Sequence, residues 1–277
     1  MNLRATFDME TATAMEASDA TGPAYQGRIG VLISNLGTPD ATDYWSIRRY
    51  LREFLSDSRV IETSKWKWYP ILYGIVLTRR PQKTGANYEK IWNREKDESP
   101  MRTISRAQAR KLADALSDDP RFVVELGMRY GNPSIESAVE RLMAQGCERI
   151  VFFPLYPQYS ATTTATANDE LYRVLMKIRH QPTVRPVPPY YDEPVYIEAL
   201  AHSIEAHLAA LDFEPEVILA SYHGIPKSYA DGGDPYPRHC HETTRLLRAR
   251  LGFDENRLRT TFQSLFGRAE WVKPYTD

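Results

Sequence analysis

Short apolar runs that close on glycine, proline or asparagine, each followed by a stretch of helical periodicity, recur through this chain and restrict its fold more than any other feature. Ile29 to Ile33 is such a run, and it leads into Gly37-Thr38-Pro39-Asp40. Tyr44, Ile47, Leu51, Phe54 and Leu55 then recur at helical spacing. Arg121 to Leu126 gives a second run with "GMRYGNP" as its expected loop, and a helix over 134–145 follows, with Gly146 as its terminator. Ile150 to Phe153 is a third run, followed by "PLYPQYSATTT". A Pro-rich stretch, Gln181 to Pro194, breaks the pattern and marks a boundary between lobes. Beyond it a helix is expected over 195–211, a strand at Val217 to Ala220, a helix over 242–251, and a strand in "LRTTFQ". Strands alternating with helices predict an α/β protein of two doubly wound lobes, 28–180 and 181–277. In such sheets the ligand crevice lies outside the C-terminal strand ends. The loops "NLGTPD", "RYGNP", "YPQYS" and "SYHGIP" all fall there.

Composition removes several classes of function. A formal net charge of −1 over 277 residues gives no basic face for nucleic acid. No G-x-G-x-x-G follows the first strand, so the dinucleotide fingerprint is missing. Cys147 and Cys240 form no CxxC pair, which fits a reducing compartment and leaves no four-cysteine metal or iron–sulfur site in this chain. Residues 1–27 carry acidic and small residues without an apolar stretch. They are expected to form a disordered tail rather than a targeting signal, which places the protein in the cytoplasm.

The lobes resemble each other. "IGVLISNLGTP" parallels "EVILASYHGIP", and "RFVVELGMRYGNP" parallels "RLRTTFQSLFGRA". By that analogy the second lobe is incomplete, short of at least one strand and its helix. The closing Pro274 to Asp277 is expected to open a helix, with Thr276 and Asp277 as candidate caps. His223 stands just past an apolar run and before Gly224. It reads either as a core histidine bonded to a neighbouring carbonyl or as a neutral imidazole able to bind a transition metal or accept a proton near pH 7. "RHCHE", Arg238 to Glu242, imitates a metal cluster, yet residues two apart on a helix face different ways, and the stretch reads as a helix start. Cys147 reads as a small core residue. Lys65 to Arg80 has an apolar centre of about a dozen residues, below the ~20 needed to cross a bilayer. With Trp66, Trp68 and flanking Lys65, Lys67, Arg79 and Arg80, it reads as an interfacial segment or a buried helix.

"NLGTPD", "RRYLREFLSD", "RRPQK", "YEKIW", "MRYGNP", "YPQYSATTT", "SYHGIP", "GDPYP", "TTFQSLFG" and "WVKPYTD" occur in this order with ordinary spacing. Together they resemble the signatures of the ferrochelatase family. The resemblance implies two Rossmann-like, chelatase-like lobes with a greasy cleft between them for a flat macrocycle. It implies insertion of Fe2+, as substrate, into protoporphyrin IX, with no required cofactor. By resemblance His223 is the metal and proton-transfer centre, Arg129 and Tyr130 are a cleft pair, and Arg80, Tyr88 and Ser99 hold the porphyrin's edge and propionates. Arg80 also has a warrant in chemistry, since a guanidinium pairs with a carboxylate bidentately. An aliphatic residue at Leu36 resembles members that use protoporphyrin. The family's lip touches the membrane, and here that lip would be 65–80. The family's carboxylate partner for the histidine belongs to a later motif that does not occur before Asp277, so the chain is expected to be C-terminally truncated. Two other readings are a non-catalytic porphyrin- or metal-binding fragment and a related cobalt chelatase.

Overall fold

The computed structural model describes residues 27–265, 267 and 269–276, so the expected tail lies outside the described residues except for Gly27. The first lobe is built on a parallel sheet of β1 (Arg28–Thr38), β2 (Phe122–Gly131), β3 (Cys147–Pro154) and β4 (Thr183–Pro186), in the order β2-β1-β3-β4. Side chains alternate across β1 as a pleated strand requires. Leu32 packs with Ile150 and Phe152 beneath α5 (Ile135–Ala144) and α6 (Thr166–Leu175). Val31 and Ile33 pack with Leu126 and Met128 on the other face, against Ala109 and Leu112 of α4 (Pro100–Ala115). Both faces are therefore covered, as in a doubly wound lobe. Within the Pro-rich stretch, β4 joins this sheet before the chain crosses to the second lobe.

Three strands run further than their apolar runs suggest. "NLGT" and "MRYG" are strand rather than loop, because Gly37 pairs with Tyr130 and Thr38 with Gly131. Polar residues are tolerated there since the ladder satisfies their backbone. Gly37 makes the approach possible. Its φ is +109°, and a Cβ would sit 1.8 Å from the Tyr130 carbonyl oxygen. The third case is β5 (Ile218–His223), which takes in His223 as its last residue.

In the second lobe β5 pairs in parallel with β6 (Leu258–Gln263). Helices α7 (Pro194–Ala209) and α9 (Tyr236–Leu251) pack over Ile218, Ala220 and Leu258. The alternate positions of β5, namely Leu219, Ser221 and His223, are exposed. Helix α9 begins at Tyr236 rather than Glu242, because Pro237 in the first turn suits a helix N-terminus. "RHCHE" thus lies inside the helix. The expected helix at the close of the chain is not formed among the described residues. Pro274 to Thr276 instead run extended beside β6: Phe262 N–H donates to Pro274 O and Thr276 N–H to Phe262 O. Thr276 is therefore a strand-edge residue and not a cap.

Between β1 and α4 the chain forms α1 (Tyr44–Leu55), capped by the Asp43 side chain, and then a bent helical lip. The lip consists of α2 (Lys65–Ile71), a π-helical turn over Leu72–Val76, and α3 (Leu77–Glu89). Leu72 and Leu77 are buried against Ile47, Leu51 and Tyr130, whereas Trp66, Ile71, Tyr73 and Ile75 face outward. Among the described residues no helix is long and apolar enough to cross a membrane. The two tryptophans part company: Trp66 is exposed, and Trp68, partly buried against the core, donates its Nε1–H to Leu55 O at 2.7 Å. Gly37→Ala should cost about 3 kcal/mol or more, because strain at positive φ adds to a clash with rigid backbone. Urea unfolding measures this, and a variant as stable as the parent would refute the close approach.

Candidate functional site

The C-terminal end of β2 and the start of α6 meet at one carboxylate, whose side chain is 8% exposed. Asp57, just past α1, accepts hydrogen bonds from Arg129 Nη2 at 2.5 Å, from the Tyr130 hydroxyl at 2.8 Å and from the Thr166 hydroxyl. Arg129 Nε donates to the Thr166 carbonyl and hydroxyl at 2.9 and 2.7 Å, and its guanidinium lies 4.3 Å from the Tyr130 ring centroid. Burial would raise the Asp57 carboxyl. The hydrogen bonds from Thr166, the Arg59 N–H and Tyr130, with the charge of Arg129, overcome that effect and hold its pKa below 3.8. Burial pushes the Tyr130 phenol well up, so Tyr130 stays a neutral donor. Burial likewise raises Glu53, whose carboxylate accepts from Gly131 N–H at 3.0 Å.

Arg129 lines a cavity of about 680 Å3 together with Thr38, Asp40, Arg49, Glu53 and Tyr73. Charged side chains dominate its wall, which differs from the greasy cleft expected for a macrocycle, and His223 does not line it. Tyr130 also departs from expectation. Its ring is fully buried, so it supports Asp57 and does not face open space. Arg129 is held with it, and both sit on strand rather than loop.

His223 ends β5 with its ring exposed, so it is not a core histidine. Its Nδ1 lies 2.6 Å from the Gly224 carbonyl oxygen. A carbonyl can only accept, so Nδ1 carries a hydrogen, and in the neutral ring the lone pair is on Nε2. The same imidazole therefore makes the neighbouring-carbonyl bond and presents a base. Leu36 and Tyr88 pack around the apolar cluster of Ile47, Tyr50 and Tyr130. Burial raises the Tyr88 phenol. Arg80 is exposed on α3. Ser99 stands apart from these residues: it is buried, and its hydroxyl caps α4 by accepting Arg102 N–H at 3.2 Å. That bond gives it a structural role where a substrate contact was expected.

Three further residues at this edge drew no attention as single residues in the sequence. Thr166 completes the Asp57 network, and Ser160 and Asp234 tie the lobes together. Asp57 and Thr166 lie 109 positions apart, and nothing local signals their meeting. In "RHCHE", His239 Nδ1 accepts Tyr159 N–H at 3.2 Å and its ring stacks on Tyr191 at 3.7 Å, while Cys240 is buried behind it. Burial raises both thiols, Cys240 to about 12, so Cys147 and Cys240 are inert core residues.

Comparison with known proteins gives a consistent answer. The ferrochelatase family model matches residues 28–277. The chain is 65% identical over 270 residues to a ferrochelatase of Mesorhizobium japonicum, covering 98% of this chain and 76% of that protein. It is 66% identical over 250 residues to a ferrochelatase of Brucella anthropi, covering 90% of this chain and 71% of that one. Among solved structures, SirB from Bacillus subtilis with Fe3+ aligns at a TM-score of 0.49 with 13% identity, over 87% of this chain and 68% of the other, a likeness too distant to build on.

The Asp57 network has a measurable signature. A depressed pKa means that Asp57 contributes stability that is complete above its unfolded value of 3.8 and is lost as pH falls through the lower folded value. Asp57→Asn should leave Arg129 without its buried counter-charge, cost about 3 kcal/mol at pH 7, and flatten the acid limb of the stability curve below pH 3.8. Chemical denaturation across pH checks both effects, and an unchanged acid limb would count against the network.

Proposed function

This chain belongs to the ferrochelatase family, and from that premise we propose that it inserts Fe2+ into protoporphyrin IX to form protohaem, the last step of haem synthesis. The observation that carries the reading is His223. Its exposed imidazole, at a C-terminal strand end, has Nδ1 fixed by the Gly224 carbonyl and Nε2 free to accept a proton. Insertion exchanges one Fe2+ for the two pyrrole N–H protons, so a neutral base beside the macrocycle is what the reaction requires. Each turnover releases two protons, and His223 passes them to solvent, to which its ring is open.

Other residues have supporting roles in this reading. Arg129 and Tyr130, locked through Asp57, give the first lobe a rigid wall. Arg80 on α3 pairs with a propionate, Tyr88 borders the macrocycle, and Leu36 suits the apolar edge of protoporphyrin. The lip meets a membrane surface through Trp66, Ile71, Tyr73 and Ile75, with Lys65, Lys67 and Arg79 at its flanks. A lipophilic substrate and product make that contact useful.

Anaerobic iron insertion followed by absorbance tests the proposal. His223→Ala should lower the rate by roughly 100-fold or more while leaving thermal unfolding nearly unchanged, because the side chain is exposed. Retained turnover would remove His223 from the chemistry. Absence of insertion by the unaltered chain, with porphyrin still bound, would favour a non-catalytic binding protein. For the lip, Trp66→Phe should abolish most of the fluorescence shift caused by anionic vesicles and Trp68→Phe should not, since Trp68 is partly buried with its Nε1–H held by Leu55 O. A shift carried by Trp68 would contradict this orientation.

A further inference from the structure

The loop that follows His223 is rigid within its own lobe. Gly224 N–H donates to Gln263 O at 2.7 Å, Val272 N–H to Ile225 O at 3.0 Å, and Lys227 N–H to Glu270 O at 2.8 Å. The loop continues through α8 (Lys227–Asp231) to Asp234, whose backbone N–H donates to Tyr229 O at 3.1 Å. His223 and Asp234 are thus two points on one hydrogen-bonded unit.

The Asp234 carboxylate crosses to the first lobe. Its Oδ2 accepts from the Ser160 hydroxyl at 2.8 Å and from Ala161 N–H at 2.8 Å, and its Oδ1 accepts Tyr236 N–H at 3.0 Å. Ser160 is 1% exposed, and Asp234 itself is half-buried, so its bond to Ser160 is partly shielded from competing water. Ser160 is also the N-cap of a π-helical turn, Ala161–Ala165, that runs without a break into α6 at Thr166. Thr166 is the residue that accepts from Arg129 and bonds Asp57. One continuous helix therefore has Asp234 at its first residues and the Arg129–Tyr130 network one turn further on.

We propose that Asp234 is a positioning residue for metal insertion. It registers the His223 loop against the Arg129–Tyr130 wall by gripping the start of the helix that carries Thr166. The proposal rests on the assignment of His223 as the proton-accepting centre. A carboxylate suits the task because it accepts from two donors on one oxygen and from a third on the other, with charge-assisted strength. Loss of the grip leaves His223 and Arg129 individually intact but lets their separation vary, and misplacement by about 1 Å can cost 100-fold in rate.

The test uses the whole chain, protoporphyrin IX and Fe2+ under anaerobic conditions. Asp234→Ala should lower kcat by at least about tenfold while the Kd for protoporphyrin, measured by fluorescence quenching, stays within about twofold. Amide exchange should rise in 160–166 and 221–236 and not in β1 or β2. Asp234→Asn, which keeps one acceptor oxygen, should fall between. Ser160→Ala combined with Asp234→Ala should be less than additive, since both remove the same bond. Asp231→Asn is the control: it lies in the same unit and, among the described residues, its carboxylate bonds Lys227, so its kcat should match the parent. A parental kcat in Asp234→Ala would overturn the proposal. So would exchange that rises uniformly over the chain, the mark of a merely structural residue. If the unaltered chain inserts no iron, the exchange pattern and the Ser160 coupling in thermal unfolding decide the matter: local and coupled effects uphold the grip, and parental exchange or additive effects overturn it.

Discussion

A single carboxylate, Asp57, organises one edge of the first lobe. Asp57 receives a guanidinium and a phenol from neighbouring residues of β2 and a threonine hydroxyl from the start of α6. A buried charge is tolerable only when it is paired and its remaining lone pairs are satisfied. Here one of the satisfying groups, Arg129, also lines the cavity. The cost of burying Asp57 is thereby offset by contacts that also fix Arg129 and Tyr130 in place. The phenol stays protonated, the guanidinium stays aimed, and neither needs to reorganise when a substrate arrives.

The second lobe contributes an exposed histidine at a strand end. His223 sits at the last position of β5, on the face that α7 and α9 leave open. Strand alternation places it there, and the Gly224 carbonyl sets its tautomer. Contacts from the loop and helix that follow, at Tyr229, Asp234, His239 and Thr243, then bring this lobe onto the first. The polar cavity at Arg129 and the imidazole of His223 are thus separate features, one on each lobe, and the chemistry proposed for the chain uses both.

Much of this was legible in the sequence because the physics involved is local. Apolar runs marked β1, β2, β3, β5 and β6 but not β4, which lies in the Pro-rich stretch read as a boundary, and helical spacing gave α1 and α5 nearly to the residue. His223 stood out because a strand end is where a ligand-facing side chain belongs. Other features depend on partners distant in the chain. The strand character of "NLGT" and "MRYG" comes from pairing Gly37 with Tyr130, which no window around either residue reveals. Asp57 and Thr166 look ordinary until the fold brings them together. Trp66 and Trp68 share a motif and a flank of lysines, yet a helical step of two residues sends one to solvent and the other to Leu55. Ser99 could be assigned to a cap only once α4 was seen to start at Pro100.

The account places the macrocycle at the C-terminal strand ends, between His223 of the second lobe and the Arg129–Tyr130 wall of the first. A crystal structure of the chain with protoporphyrin IX bound tests that claim most directly. The account predicts a porphyrin with His223 Nε2 directed at its pyrrole nitrogens and a propionate near Arg80. A porphyrin seated elsewhere, with His223 turned away from the ring, would contradict it.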